Sequence, residues 1–126
     1  VKLDHALLNS PAYHSLDPVA RSLYVELKRL YSGHNNGEIA LGVRAAAAAL
    51  NISKNTAQLA FEKLQDRGFL RLAMPSTFHQ KRLSREWLLT EYADDRGSSE
   101  KPSRDFMAWV DPASDRLSDS RRTPSA

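Results

Sequence analysis

The chain has no cysteine, so disulfides and thiolate metal sites are excluded, in keeping with a reducing compartment. It has no apolar run near the roughly 20 residues that cross a bilayer, and its N-terminus lacks a signal-peptide pattern. A cytoplasmic protein without membrane association is the expectation. No Gly-x-Ser-x-Gly elbow, Walker loop or dinucleotide fingerprint is present, and these are the strand-turn-helix signatures that hold nucleophiles and phosphates. The four histidines, His5, His14, His34 and His79, share no i, i+4 spacing of the kind that puts two imidazoles on one helix face for zinc. Asp94-Asp95 stands in a polar stretch and is expected to be solvated. An enzyme, a cofactor, a metal site and a small-molecule ligand are therefore not expected.

What is present fits one domain with a tail. At 126 residues with 41% hydrophobic content, the chain can bury one modest core but not two. A net charge of +3 and a pI near 9.4 favour a polyanionic partner only mildly. The basic excess lies before Tyr92, and the remainder is close to neutral.

In order, Val1 to Ser15 is short and mixed. It is expected to form an arm (residues 1–15) using Leu3, Leu7 and Leu8, with a turn at Asn9-Ser10-Pro11. Leu16 to Tyr31 spaces Leu16, Val19, Leu23, Leu27 and Leu30 as one stripe. Asp17 is placed to cap this helix, and Pro18 suits its first position. Arg21, Lys28 and Arg29 are expected on a solvated face. Ser32 to Gly37 is a breaker run, with Gly33, Asn36 and Gly37 all able to take positive φ. Glu38 to Leu41 reads as a short strand, and Gly42 as a permissive cap to an alanine-rich helix, Val43 to Leu50. Asn51-Ile52 makes a tight turn.

The stretch Ile52 to Leu70 carries both ends of a helix in its own letters. Ser53 is a preferred N-cap, and Gly68 can adopt the left-handed conformation that closes a helix. Ala57, Ala60, Phe61 and Leu64 form its apolar stripe. Lys54, Asn55, Thr56 and Gln58 lie off that stripe, in the N-terminal turns. Asn and Gln pair with adenine edges, Lys with guanine or phosphate, and Thr with either. The residues read as a DNA-recognition helix. An alternating strand (Phe69 to Met74), a turn (Pro75 to Gln80) and a second strand within Arg82 to Leu89 follow, the last returning Leu83, Trp87 and Leu89 to the core. His79, Lys81, Arg82 and Arg85 make this hairpin basic, suited to lie beside phosphates or in the minor groove. An edge hairpin protected by charge is the plainer alternative.

Ser53-Lys54-Asn55-Thr56-Ala57, Ala60-Phe61-Glu62-Lys63-Leu64 and Arg67-Gly68-Phe69-Leu70 resemble the recognition helix and first wing strand of winged helix-turn-helix proteins. The GntR and MarR groups of bacterial transcription regulators are similar here. Asn35-Asn36-Gly37-Glu38-Ile39-Ala40-Leu41, followed by Val43-Arg44-Ala45-Ala46, resembles small bacterial proteins of plasmids and prophages. The resemblance covers residues 16–92. It implies a mainly α fold with a small β-wing (α+β), built from three helices and a two- or three-stranded sheet.

It also implies sequence-specific binding of double-stranded DNA by a bacterial transcriptional regulator encoded by a mobile genetic element; one monomer reads only a few base pairs, so a dimer or a tandem partner is expected. Ser53–Arg67 would enter the major groove. Lys54, Asn55, Thr56 and Gln58 would meet bases, and Ser53 would cap the helix and reach a phosphate. Arg44, Lys81, Arg82 and Arg85 would meet phosphates, with a plain surface arginine as the alternative for Arg44. The chain has Leu59 where the GntR pattern often has arginine, so a contact there is either lost or becomes an apolar touch on thymine, and an operator preference does not transfer directly. A plasmid or phage replication initiator is the runner-up, and a winged-helix module that binds protein instead of DNA is a third reading.

Beyond Tyr92 the composition turns polar. Residues 93–126 are expected to be a largely disordered tail, apart from Phe106 to Val110. That apolar segment is expected to dock back on the domain; a dimer interface or a linear motif are the alternatives.

Overall fold

The computed structural model describes residues 1–73, 85–96 and 101–112. Among them lie five helices: α1 (His5–Leu8), α2 (Pro11–His14), α3 (Pro18–Leu30), α4 (Val43–Leu50) and α5 (Lys54–Asp66). Three strands, β1 (Ile39–Ala40), β2 (Leu70–Leu72) and β3 (Glu86–Leu89), and a 3-10 turn over Asp105–Ala108 complete an α+β architecture. No helix among the described residues is long and apolar enough to cross a membrane.

The helix boundaries follow local chemistry. The Asp17 carboxylate accepts from the Ala20 amide at 2.8 Å, with Pro18 opening α3. Ser53 Oγ accepts from the Thr56 amide at 3.1 Å at the start of α5. Gly42 caps α4 without a side-chain bond. At the end of α5, Gly68 takes φ +86°. The Phe69 amide then reaches the Leu64 carbonyl at 2.9 Å and the Gly68 amide reaches Gln65 at 3.1 Å, the paired bonds of a Schellman closure. α4 closes the same way on Asn51 (φ 57°), whose Ile52 neighbour bonds Ala47 at 3.0 Å. Asparagine tolerates the left-handed region better than other side chains, so the turn between α4 and α5 stays short.

The sheet is antiparallel in the order β1-β3-β2. Ile39 and Leu72 both stand opposite Trp87, and Leu70 opposite Leu89. Trp87 is fully buried, stacks on Phe61 with centroids 5.0 Å apart, and donates its indole N–H to the Leu41 carbonyl at 2.8 Å. That single side chain ties the sheet to α5 and to the lead-in of α4. Ala46 and Ala47 are buried while Ala45, Ala48 and Ala49 are exposed, so the alanine run has one face on which α3 and α5 approach closely.

Four expectations are corrected. Val1 to Ser15 is more than an arm: Asp4 and Ser10 cap two single-turn helices, and Leu7 and Ala12 are fully buried in the common core. Lys28 is not on a solvated face. Its side chain is 2% exposed, its ammonium meets the Glu91 carboxylate at 3.0 Å, and it also donates to the Lys2 carbonyl. Tyr24 donates to the same carboxylate at 2.5 Å; burial first, then the Glu91 charge, pushes its phenol well above the usual range.

Asn36 does not take positive φ. It is fully buried, and its amide nitrogen lies within 2.8–3.1 Å of the Leu89, Tyr92 and Ala93 carbonyls, while its amide oxygen accepts from the Leu89 N–H at 2.7 Å. The side chain thus closes the ladder where β3 ends. Asp94 and Asp95 are also engaged rather than simply solvated. Asp94 pairs with Arg96 at 2.8 Å, and Asp95 accepts from the Asn36 amide at 2.8 Å. The hairpin tip with Leu83, and residues 113–126 of the expected tail, lie outside the described residues.

Candidate nucleic-acid interface

α5 has two faces and two unlike ends. Its inner stripe, Ala57, Ala60, Phe61 and Leu64, is buried. Helical spacing sets Asn55, Leu59, Glu62 and Asp66 on the opposite side, and all four are exposed. Glu62 was not anticipated on this face from the sequence. Its position seven residues after Asn55 and three after Leu59 is the signal that could have found it.

At the N-terminal end, Lys54 and Asn55 are exposed and have no polar partner among the described residues. Ser53 and Thr56 are partly occupied with each other: besides the cap bond, their hydroxyls lie 2.8 Å apart. Thr56 therefore presents its methyl group and the rest of its hydroxyl's hydrogen-bonding capacity. Gln58 sits on the flank, its amide nitrogen donating to Glu62 at 3.2 Å and its oxygen accepting from Arg85 at 3.4 Å. The Leu41 amide bonds the Arg85 carbonyl at 3.0 Å, which sets the start of β3 beside the lead-in to α4. Arg44, in the first turn of α4, is exposed and has no polar partner among the described residues.

The structure thus brings Gln58 and Arg85 together, places Ser53, Lys54, Asn55 and Thr56 on one helix end, and sets Arg44 on the neighbouring one. His79, Lys81 and Arg82 lie outside the described residues.

The C-terminal end of α5 is anchored on several sides. Lys63 pairs with Asp17, the cap of α3; the Lys63 ammonium, and then the Ala20 amide, hold the Asp17 carboxyl below its usual range. Arg67 donates to Ser15 Oγ at 3.1 Å, pairs with Asp66 at 3.1 Å and lies over the Trp109 ring at 5.3 Å. Phe106 is fully buried and stacks on Phe69 with centroids 5.0 Å apart and planes 6° from parallel. Arg71 on β2 grips Asp105 through two bonds of 2.8 and 3.0 Å. Backbone of residues 105 and 106 closes over Gly68: a Cβ there would lie 2.7 Å from the Asp105 carbonyl carbon and 2.8 Å from the Phe106 nitrogen. Arg104 Nη2 also meets Asp4 at 3.3 Å, so the first and last described segments join behind the helix.

No group of three or more His, Cys, Asp or Glu side chains is gathered to hold a metal among the described residues. The clefts beside Tyr92 are lined by residues of the N-terminal segment, α3 and Arg104, and by none of the residues expected to meet DNA. No protein-family model, curated protein or solved structure matches this chain.

Proposed function

We propose that this protein is a winged helix-turn-helix DNA-binding protein that recognises specific double-stranded sequences through the N-terminal half of α5. α4, the Asn51-Ile52 turn and α5 are the helix-turn-helix, and β2 and β3 are the stem of the wing. The observation that carries this reading is the polarity of α5: a frame-anchored C-terminal end against an N-terminal end whose Lys54 and Asn55 are exposed and have no polar partner among the described residues. An amide, an ammonium and a hydroxyl displayed on the first two turns match the donor and acceptor pattern of base edges in a major groove.

In the bound state Asn55 pairs with an adenine edge, Lys54 reaches guanine or a phosphate, and Thr56 adds a methyl contact. Arg85 can exchange Gln58 for a phosphate, which frees the Gln58 amide for a base. Arg44 and the basic wing tip, Lys81 and Arg82 with His79, add affinity without sequence information. The resemblance to GntR and MarR regulators makes a bacterial transcriptional regulator the leading biological role, acting as a dimer because one such helix reads only a few base pairs. An initiator that marks a replication origin would use the same chemistry on repeated sites.

The test is selection of bound duplexes from a random DNA pool by the full chain at near-physiological salt. An enriched inverted repeat supports a dimeric regulator, and direct repeats favour origin binding. A pool that never enriches rules out sequence-specific recognition and leaves a protein-binding module as the better account.

A further inference from the structure

Leu59 is the large apolar residue on the outward face of α5, and it is 49% exposed. Among the described residues it is not one of those that pack against the core, so its side chain stands apart from that core. Its neighbours along the outward stripe are Asn55, one turn before it, and Glu62, almost one turn after it. Gln58, on the flank beside it, is held by Arg85 and Glu62. A branched apolar side chain therefore stands among groups that make hydrogen bonds. Glu62 limits how deeply the helix can lie, because a carboxylate pressed toward phosphates is repelled. The N-terminal half of α5 is then the part that enters the groove, with Leu59 at its inner limit.

We infer that Leu59 is a specificity-determining residue that packs on the C5-methyl group of a thymine; the inference rests on the reading of α5 as a recognition helix. In the major groove, the thymine methyl is the apolar mark that distinguishes its base pair from the others. A leucine cannot accept or donate a hydrogen bond, so that methyl is the group on a base edge that it can recognise. Asn55 and Leu59 are separated by four residues, about 6 Å of helix rise, which is close to two base steps of about 3.4 Å. The thymine thus lies within two steps of the adenine read by Asn55, and the two residues together select an A·T-containing core.

The experiment uses the duplex recovered by selection with the full chain, with each thymine replaced in turn by deoxyuridine, which lacks only the methyl. Binding is measured for the wild type, Leu59→Ala and Asn55→Ala. Because Leu59 is exposed and alanine is a strong helix former, Leu59→Ala is expected to fold normally, and a thermal melt checks this. The expected result is one thymine whose replacement weakens wild-type binding about three- to fivefold, the size of one buried methyl group. Leu59→Ala binds the thymine and deoxyuridine duplexes equally, and the sensitive thymine lies within two steps of the Asn55-dependent adenine.

Specific binding with no deoxyuridine effect at any position overturns the assignment. So does a deoxyuridine effect that persists undiminished in Leu59→Ala. Failure of any duplex to enrich is a different result: it removes the DNA-binding reading itself.

Discussion

The two ends of α5 are held in opposite ways. From Lys63 onward the helix is bound to α3 through Asp17, to the α2–α3 turn through Ser15, and to the C-terminal segment through Trp109 and the backbone over Gly68. Across its first turns Ser53 and Thr56 cap the helix and bond each other, Lys54 and Asn55 have no polar partner among the described residues, and Gln58 meets only Glu62 and Arg85 there. A side chain committed to the fold is not free for a ligand, whereas an uncommitted one on a rigid element can be presented with little further ordering cost. The difference teaches that the frame holds this helix by its C-terminal half, which on the proposed reading leaves the N-terminal half to meet DNA.

The contrast can be broken from either end. The largest effect is expected from Glu91→Ala, which leaves Lys28 buried without its counter-charge. A loss of about 3–5 kcal/mol in denaturant unfolding is expected, enough to lower DNA binding only through loss of folded protein. Gly68→Ala strikes the anchored end directly, combining a left-handed backbone with a clash against the closing segment. About 2–5 kcal/mol should be lost, and faster amide exchange in the last turn of α5 would show that the anchor has loosened.

The free end should behave oppositely. Asn55→Ala with Thr56→Ala should leave the melting temperature close to that of the wild type. Discrimination between sequences should fall by about 1–3 kcal/mol for each base that is no longer read, while nonspecific binding stays nearly intact. Equal weakening on specific and nonspecific duplexes would take base readout away from these residues.

The smallest effect is a pH dependence of the anchor. Asp17 is depressed in the folded state, so its contribution is complete above the ordinary carboxylate range. It is lost as pH falls through the lowered folded value. Wild type should therefore exceed Asp17→Asn in stability at neutral pH, and the gap should close in strong acid. A gap independent of pH would mean the charge is not what holds Lys63.

How much of this was legible in the letters depends on how far each residue's partners lie along the chain. Ser53, Gly68, Asp17 and Gly42 act within one turn of themselves, so the helix ends could be read locally and stand where the spacing predicts. The buried stripe of α5 was equally legible, because a 3.6-residue period is a property of the segment alone. Asn36 reads as a turn former in the sequence, since its partners at Leu89, Tyr92 and Ala93 are more than fifty residues away. Lys28 looks solvated for the same reason, with Glu91 63 residues distant.

The N-terminal segment is underestimated by its letters because two four-residue helices have too little periodicity to announce themselves, although Asp4 and Ser10 are capping signals in plain view. On the candidate interface, the residue types and their crowding at one helix end were legible. The engagement of Gln58 by Arg85 was not, because it depends on where β3 begins.

The most direct test of the account is a backbone amide NMR titration of the full chain with the duplex obtained by selection, following each residue's shift. The account predicts that the largest changes fall within residues 53–59 and at Arg44 and Arg85, while Lys63 to Asp66 and the Phe106 segment stay nearly still. Changes centred instead on the Phe106 segment or the clefts beside Tyr92, with residues 53–59 unmoved, would contradict it.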